Sequence, residues 1–139
     1  MSNLLKIGLP LLIVLGLVAY KFTQPKGPLD IHDASTELTI NASSLYAAFE
    51  TNEANANSTY AGKVVEVSGA IESITKDDDG HYVMGLSADN PLGKILCNLA
   101  PDEPEPAKSM AIGTSVTIKG VCTGYLFDVV LDNATLLKP

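Results

Sequence analysis

Two cysteines, Cys97 and Cys122, are the residues of this chain whose side chains could do covalent chemistry. Each lies on the inward side of its own predicted strand, so both should face the interior of the domain. They lack the Cys-x-x-Cys spacing of a zinc or thioredoxin site, and neither histidine lies near them in sequence. The pattern predicts a disulfide, which would place the domain in an oxidising compartment, with two free buried thiols as the alternative.

The other groups that could do chemistry lie in polar stretches. Asp77, Asp78 and Asp79 offer oxygens of the kind that Ca²⁺ prefers, but the EF-hand spacing is absent and Asp-Gly favours a hairpin turn. No motif places a nucleophile near His32 or His81, and both are expected to be exposed. Phosphate-binding loops, nucleophile elbows and His-Glu-x-x-His motifs are absent from the sequence. We therefore expect no catalytic residues, no cofactor and no metal ion.

Charge argues against a nucleic-acid ligand. The 139 residues include nine Lys, no Arg and 16 acidic residues, for a net charge of −7. Residues 1–44 contain three Lys and three acidic residues, so residues 45–139 carry the whole excess of negative charge. Proteins that grip phosphate backbones cluster Arg and Lys on one surface. The domain is expected not to bind single-stranded nucleic acid at physiological salt.

The N-terminal part of the chain is predicted to contact a membrane. Leu4–Tyr20 is an apolar run interrupted only by Lys6, and at helical rise it spans about 25 Å. No good cleavage site follows the run, so residues 1–22 are interpreted as a single-pass membrane anchor or uncleaved signal. The alternatives are a cleaved secretory signal and a buried core helix.

The next segment, residues 23–37, is predicted to be an extended tether. It contains Pro25, Gly27 and Pro28 and has no hydrophobic period. Lysines flank the apolar run on both sides, so charge counting does not orient the chain. Because disulfides form in oxidising compartments, the predicted disulfide favours a periplasmic or extracellular location for the domain, residues 38–139.

A helix is predicted at the start of the domain. Ile40 and Leu45 occupy the two positions of a hydrophobic staple around an Asn41 N-cap. Apolar residues then recur at three- and four-residue intervals as far as Tyr60, and Gly62 marks the stop. One helix of about 15 residues with a single apolar face is expected.

From Lys63 onward the hydrophobic period changes to two, which is typical of half-buried antiparallel strands. Five strands are predicted: Val64–Ile74, His81–Ser87, Lys94–Leu99, Ser115–Cys122 and Asp128–Leu136. Ile74 breaks the alternation of inward and outward residues in the first strand, which indicates a bulge or a bend. Gly69 and Gly120 supply bends that a closed sheet needs, so a small barrel is predicted.

The order of these motifs carries a resemblance that covers residues 38–138. Its elements are Leu45, Phe49, Asn52-Glu53, Ala56, Tyr60, and residues 62–69, 95–97, 113–122 and 128–131. Together they resemble the tRNA_anti-like family of bacterial OB-fold proteins. The resemblance implies a mainly β fold, namely a five-stranded OB-fold barrel preceded by one packed α-helix, often on an exported or membrane-anchored chain. It implies no catalytic residue set.

OB barrels usually bind ligands across strands two and three and beside the loops that join strands one to two and four to five. These regions map to a candidate ligand face with Tyr82, Lys94, Asn98, Tyr125 and Phe127. The three aromatic side chains could stack on bases or sugars, or alternatively cap the barrel ends.

The expected function is therefore binding without catalysis. We expect a membrane-anchored, non-enzymatic OB-fold module that faces the periplasm or cell exterior, with an envelope protein, peptide or glycan as ligand. The alternative is a single-stranded nucleic-acid-binding OB-fold protein, which the fold permits and the charge opposes.

Overall fold

The computed structural model describes residues 29–105 and 110–138, a mainly β domain. The elements in these ranges are, in chain order, β1 (Leu38–Asn41), α1 (Ala42–Thr51), α2 (Glu53–Tyr60), β2 (Val64–Lys76), β3 (Tyr82–Ser87), β4 (Lys94–Leu99), β5 (Ser115–Leu126) and β6 (Asp128–Lys138).

Five strands close into a barrel in the order β2-β3-β4-β6-β5, because β5 pairs back to β2. β4 and β6 are parallel, and the other neighbours in the barrel are antiparallel. The inward side chains form one apolar core, and in β4 buried Ile95, Cys97 and Leu99 alternate with half-buried neighbours. The predicted five-stranded barrel and its period of two are confirmed.

β2 is long because it serves both halves of the barrel. Its residues 64–70 pair with β5, and its residues 71–76 pair with β3. The register shifts between Ile71 and Ser73, where the chain passes from one partner to the other. This is the irregularity that the broken parity at Ile74 indicates.

The N-terminal elements differ from the prediction in two respects. β1 is an additional strand, which pairs in parallel with β2. The helix is divided at Asn52, whose φ of −154° is not helical and whose side chain accepts the N–H of Asn55. Asparagine offers the backbone this local alternative to a continuous helix. Asn41 is the N-cap, as predicted, and accepts the N–H of Ser44 at 2.8 Å.

Residues 29–37 lie in the segment interpreted as an extended tether, but they form a turn that packs on the barrel. Ile31 is buried with Val64 and Ala100 in a small apolar cluster that is separate from the main core. The ammonium of Lys119, on β5, donates to the carbonyls of His32 and Ala34 at 3.2 and 3.0 Å. One apolar residue in a polar stretch has no period, so the sequence pattern does not reveal this packing.

Among residues 29–105 and 110–138, the structure has no helix that is long and apolar enough to cross a membrane. The apolar run Leu4–Tyr20, on which the predicted anchor rests, lies outside these residues.

Cys97 and Cys122 are both buried, as their parity predicts, but they are free thiols. β6 lies between their strands, and its Leu131 is the register partner of both. Two strand spacings separate their Cα atoms by about 10 Å, whereas a disulfide needs less than about 7 Å. The predicted disulfide is therefore wrong in this structure. The pair no longer indicates on which side of a membrane the domain lies.

Neither thiol is expected to react in the native protein. Burial raises the pKa of both Cys97 and Cys122, so little reactive thiolate is present at neutral pH. Mass spectrometry after iodoacetamide treatment without reductant should show no adduct on native protein and two on protein unfolded in guanidinium. Unfolded, unreduced protein that gains no adduct would instead contain the disulfide.

Candidate ligand-binding face

An OB barrel usually presents the outer side of its second and third strands to a ligand, and these are β3 and β4 here. The outer side of β6 continues this surface, because β6 pairs with β4. We call it the ligand face; its members are Val83, Gly85, Ser87, Lys94, Leu96, Asn98, Val130 and Asp132. Their neighbours Met84, Leu86, Ile95 and Cys97 point into the core. Leu96 is in register with both Gly85 and Val130, so these three form one row across the face.

Lys94 lies at one end of the ligand face, at the start of β4. Its ammonium lies 3.3 Å from Oε1 of Glu72, on β2. Its Cδ lies 2.9 Å from the position that a Cβ on Gly85 would occupy, so the glycine makes room for the alkyl chain. The backbone N–H of Lys94 donates to Oδ1 of Asp128 at 2.9 Å. The lysine predicted for this face is therefore present, but its charge is paired.

Asn98 is fixed at the other end of the face. Its amide donates to Oδ1 of Asp132, on β6, at 2.5 Å. Between this pair and Lys94, the half-buried side chains of Leu96 and Val130 lie in register. The centre of the face is thus a short apolar strip between two polar pairs.

The β2–β3 loop, at one edge of the face, is acidic. Oδ1 of Asp77 accepts the N–H groups of Asp79 and His81 at 3.0 and 2.9 Å, which closes the predicted turn. Asp77, Asp79 and His81 are exposed, and one possible metal-ligand atom from each lies within 4.8 Å of the other two. Before the loop, the Lys76 ammonium is 4.8 Å from the Tyr82 ring centroid, and its hydrogen bond with Tyr82 raises the pKa of Lys76.

Two of the three aromatic residues assigned to the face have structural contacts. The Tyr125 ring stacks on Phe49 and meets Tyr46 edge-on, both at 5.8 Å between centroids, where α1 covers one end of the barrel. Tyr82 is half-buried against the core. These contacts fit the alternative that the sequence left open, in which the aromatic rings cap the ends of the barrel.

Phe127, the third aromatic residue predicted for the ligand face, is exposed to solvent. Its side chain is 76% exposed, and its φ of +64° lies in the left-handed region that bulky residues seldom adopt. The Tyr46 hydroxyl donates to its carbonyl at 2.8 Å. Burial raises the pKa of Tyr46 to about 12, so this hydroxyl keeps its proton and remains a donor. α1 thus holds the strained turn in place.

Two exposed leucines that sequence reasoning missed lie near Phe127. Leu126 precedes it and is 80% exposed, and Leu92, in the β3–β4 connection, is 74% exposed. The two turns touch, because Gly93 lets the Phe127 carbonyl and the Tyr46 hydroxyl approach its backbone. We call Leu92, Leu126 and Phe127 the apolar tip. Apolar residues at turns, where polar residues are usual, were the available signal.

A polar cluster joins the N-terminal segment to β6. His32 Nε2 is 3.1 Å from Asp102 Oδ2, and His32 Nδ1 is 3.3 Å from Thr135 Oγ1. The Thr135 hydroxyl donates to Glu103, whose other oxygen accepts the N–H of Leu136 at 3.3 Å. His32 is exposed, as predicted, but it is also part of the contacts that fasten this segment to the barrel.

Comparisons with known proteins agree with this architecture. A family model described as tRNA_anti-like matches residues 1–136. Curated proteins give no match. Among solved structures, a "putative nucleic acid-binding lipoprotein" from Klebsiella pneumoniae is similar, with 24% sequence identity and a TM-score of 0.58. The similarity covers 81% of this chain and 100% of that chain, and at this identity it shows the fold alone.

Proposed function

Because this chain belongs to the tRNA_anti-like family, as the match over residues 1–136 shows, we propose that it is a membrane-held OB-fold module that binds an envelope protein or peptide without catalysis. Two features support attachment to a membrane of the cell envelope. One is the apolar run Leu4–Tyr20. The other is the similarity of the barrel to a chain described as a lipoprotein.

The charge of the ligand face is the observation that carries the proposal. Lys94 is paired with Glu72, and Lys76 lies against the Tyr82 ring. The loop residues 77–79 contribute three carboxylates beside them. A phosphate backbone would approach these carboxylates at a cost, because such binding depends on cations that neutralise phosphates. A polypeptide with apolar and cationic side chains would instead find an apolar strip and acidic partners.

Single-stranded nucleic acid is the second candidate, favoured by one observation on this chain. Phe127 is an exposed aromatic ring beside the loop that OB folds commonly use, and such rings stack on bases. The similar lipoprotein is described as nucleic acid-binding. Stacking contributes about 1–3 kcal/mol per base, which gives only weak binding where the surrounding charge repels phosphate.

The full-length protein in non-ionic detergent should not bind labelled single-stranded DNA or RNA at physiological salt, as measured by fluorescence anisotropy over a salt series. The variant D77N/D78N/D79N should bind more tightly than the wild type, because it removes the repulsion and keeps the oxygen of residue 77 that closes the turn. Sub-micromolar wild-type binding that weakens steeply with salt would establish the second candidate instead.

Photo-crosslinking tests the polypeptide ligand directly. A photoreactive residue in place of Val130, on the ligand face, should give specific protein adducts in intact membranes. The same residue in place of Asn55, exposed on α2, is the matched control and should not give those adducts. Equal yields of the same adducts from both positions would mean random collision and would reject the ligand face as the site.

A further inference from the structure

The side chains of the apolar tip are exposed, while the backbone of the two turns that carry them is held by hydrogen bonds. Tyr46 holds the carbonyl of Phe127, and the N–H of Lys94 is bound to Asp128, so the two turns are fixed to each other and to α1. Asparagine or glycine would fit the left-handed backbone of residue 127 with less strain than phenylalanine. A strained, exposed aromatic side chain that the turn itself does not need indicates a role outside the barrel.

Acidic groups lie around the two turns that carry the apolar tip. They are Glu50, Glu72 and Asp128. The Asn90 amide donates to Oε2 of Glu50 at 2.9 Å, which brings the end of α1 against the β3–β4 connection. A shallow pocket of about 300 Å³ is lined by Leu92 and Asn90 together with Glu72 and Asp128. Lys94 also lines this pocket and its charge cancels that of Glu72, so Glu50 and Asp128 are the groups that keep the surroundings of the tip negative.

We propose that the apolar tip docks a partner polypeptide that presents an apolar side chain flanked by lysine or arginine. This inference rests on the proposed function and specifies the chemistry of its ligand. The apolar side chain would pack on Leu92 and Phe127, and the flanking cations would meet the acidic groups around them. A second copy of this chain, an anionic lipid surface or a nucleic acid would each bring negative charge against negative charge.

The test uses the full-length protein in nanodiscs of neutral lipid. The probe is a fluorescein-labelled peptide with a central Leu-Phe pair and two lysines on each side. One matched peptide has glutamates in place of the lysines, and another has serines in place of the Leu-Phe pair. Anisotropy, corrected with empty nanodiscs, should show binding of the first peptide and at least about tenfold weaker binding of both matched peptides.

The decisive variant is Phe127→Asn. Asparagine adopts the left-handed backbone readily, so the unfolding midpoint should stay the same or rise, while peptide affinity should fall about tenfold. Leu137→Ser is the matched control, because Leu137 is an exposed leucine at the far end of β6, and it should leave affinity unchanged. The variant E50Q should weaken the salt dependence of binding, because it removes one of the charges that would attract the lysines.

The proposal is overturned if the wild-type protein does not bind the lysine-flanked peptide at concentrations up to about 1 mM. It is equally overturned if the wild-type protein binds the glutamate-flanked peptide as tightly as the lysine-flanked one. It is also overturned if Phe127→Asn binds as the wild type does, because the peptide would then occupy another part of the barrel. In that case polypeptide binding, and with it the proposed function, would stand. Tight oligonucleotide binding by the wild type would instead reject the proposed function itself.

Discussion

Replacing Gly93 by alanine should lower the free energy of unfolding by about 3 kcal/mol. The added methyl group would lie 2.5 Å from the hydroxyl oxygen and 2.7 Å from a ring carbon of Tyr46, and nearer still to the carbonyl oxygen of Phe127. One of these obstacles is backbone and another is the side chain of a buried residue, so neither can move aside cheaply. The two turns that carry the apolar tip would separate.

Urea titration of the full-length protein in detergent, followed by circular dichroism, measures this loss. Gly80→Ala is the matched control, because Gly80 has a φ of +83° and open space around its Cβ position. It should cost only the conformational penalty of about 1 kcal/mol. If the two substitutions cost the same, the turns are not in contact and the apolar tip is not a fixed surface.

Phe49→Ala should be the most damaging single substitution in α1, with a loss of about 4 kcal/mol of stability. Phe49 is 1% exposed and stacks on Tyr125 of β5, while Tyr60 of α2 lies 6.1 Å from it between ring centroids. The ring therefore joins both helices to the barrel. Its removal leaves a cavity beside Tyr125, the ring that also packs on Tyr46.

Phe49→Leu separates the loss of volume from the loss of aromatic contact. It keeps most of the buried apolar volume and should cost about 1 kcal/mol under the same titration. A loss below about 1 kcal/mol for Phe49→Ala would contradict the packed aromatic cluster, because truncation of a tightly packed buried ring typically costs about 3–5 kcal/mol.

The amino-acid sequence determined the features of this protein that depend on neighbours along the chain. A cap such as Asn41 acts within one helical turn, and the alternation that turns Lys94 outward and Cys97 inward is set by the strand backbone. The excess of acidic residues is likewise readable without a structure, whereas its distribution over the surface is not. These local signals predicted the barrel and the outward direction of Lys94 on β4.

Only the tertiary structure decided which strands and turns are adjacent. Parity shows that Cys97 and Cys122 face inward, but closure of the barrel puts β6 between them and keeps the thiols apart. In the same way, the apolar tip exists because two turns far apart in sequence meet at Gly93. Side-chain direction follows from local backbone geometry, whereas adjacency follows from the order in which strands pair, and a period of two does not encode that order.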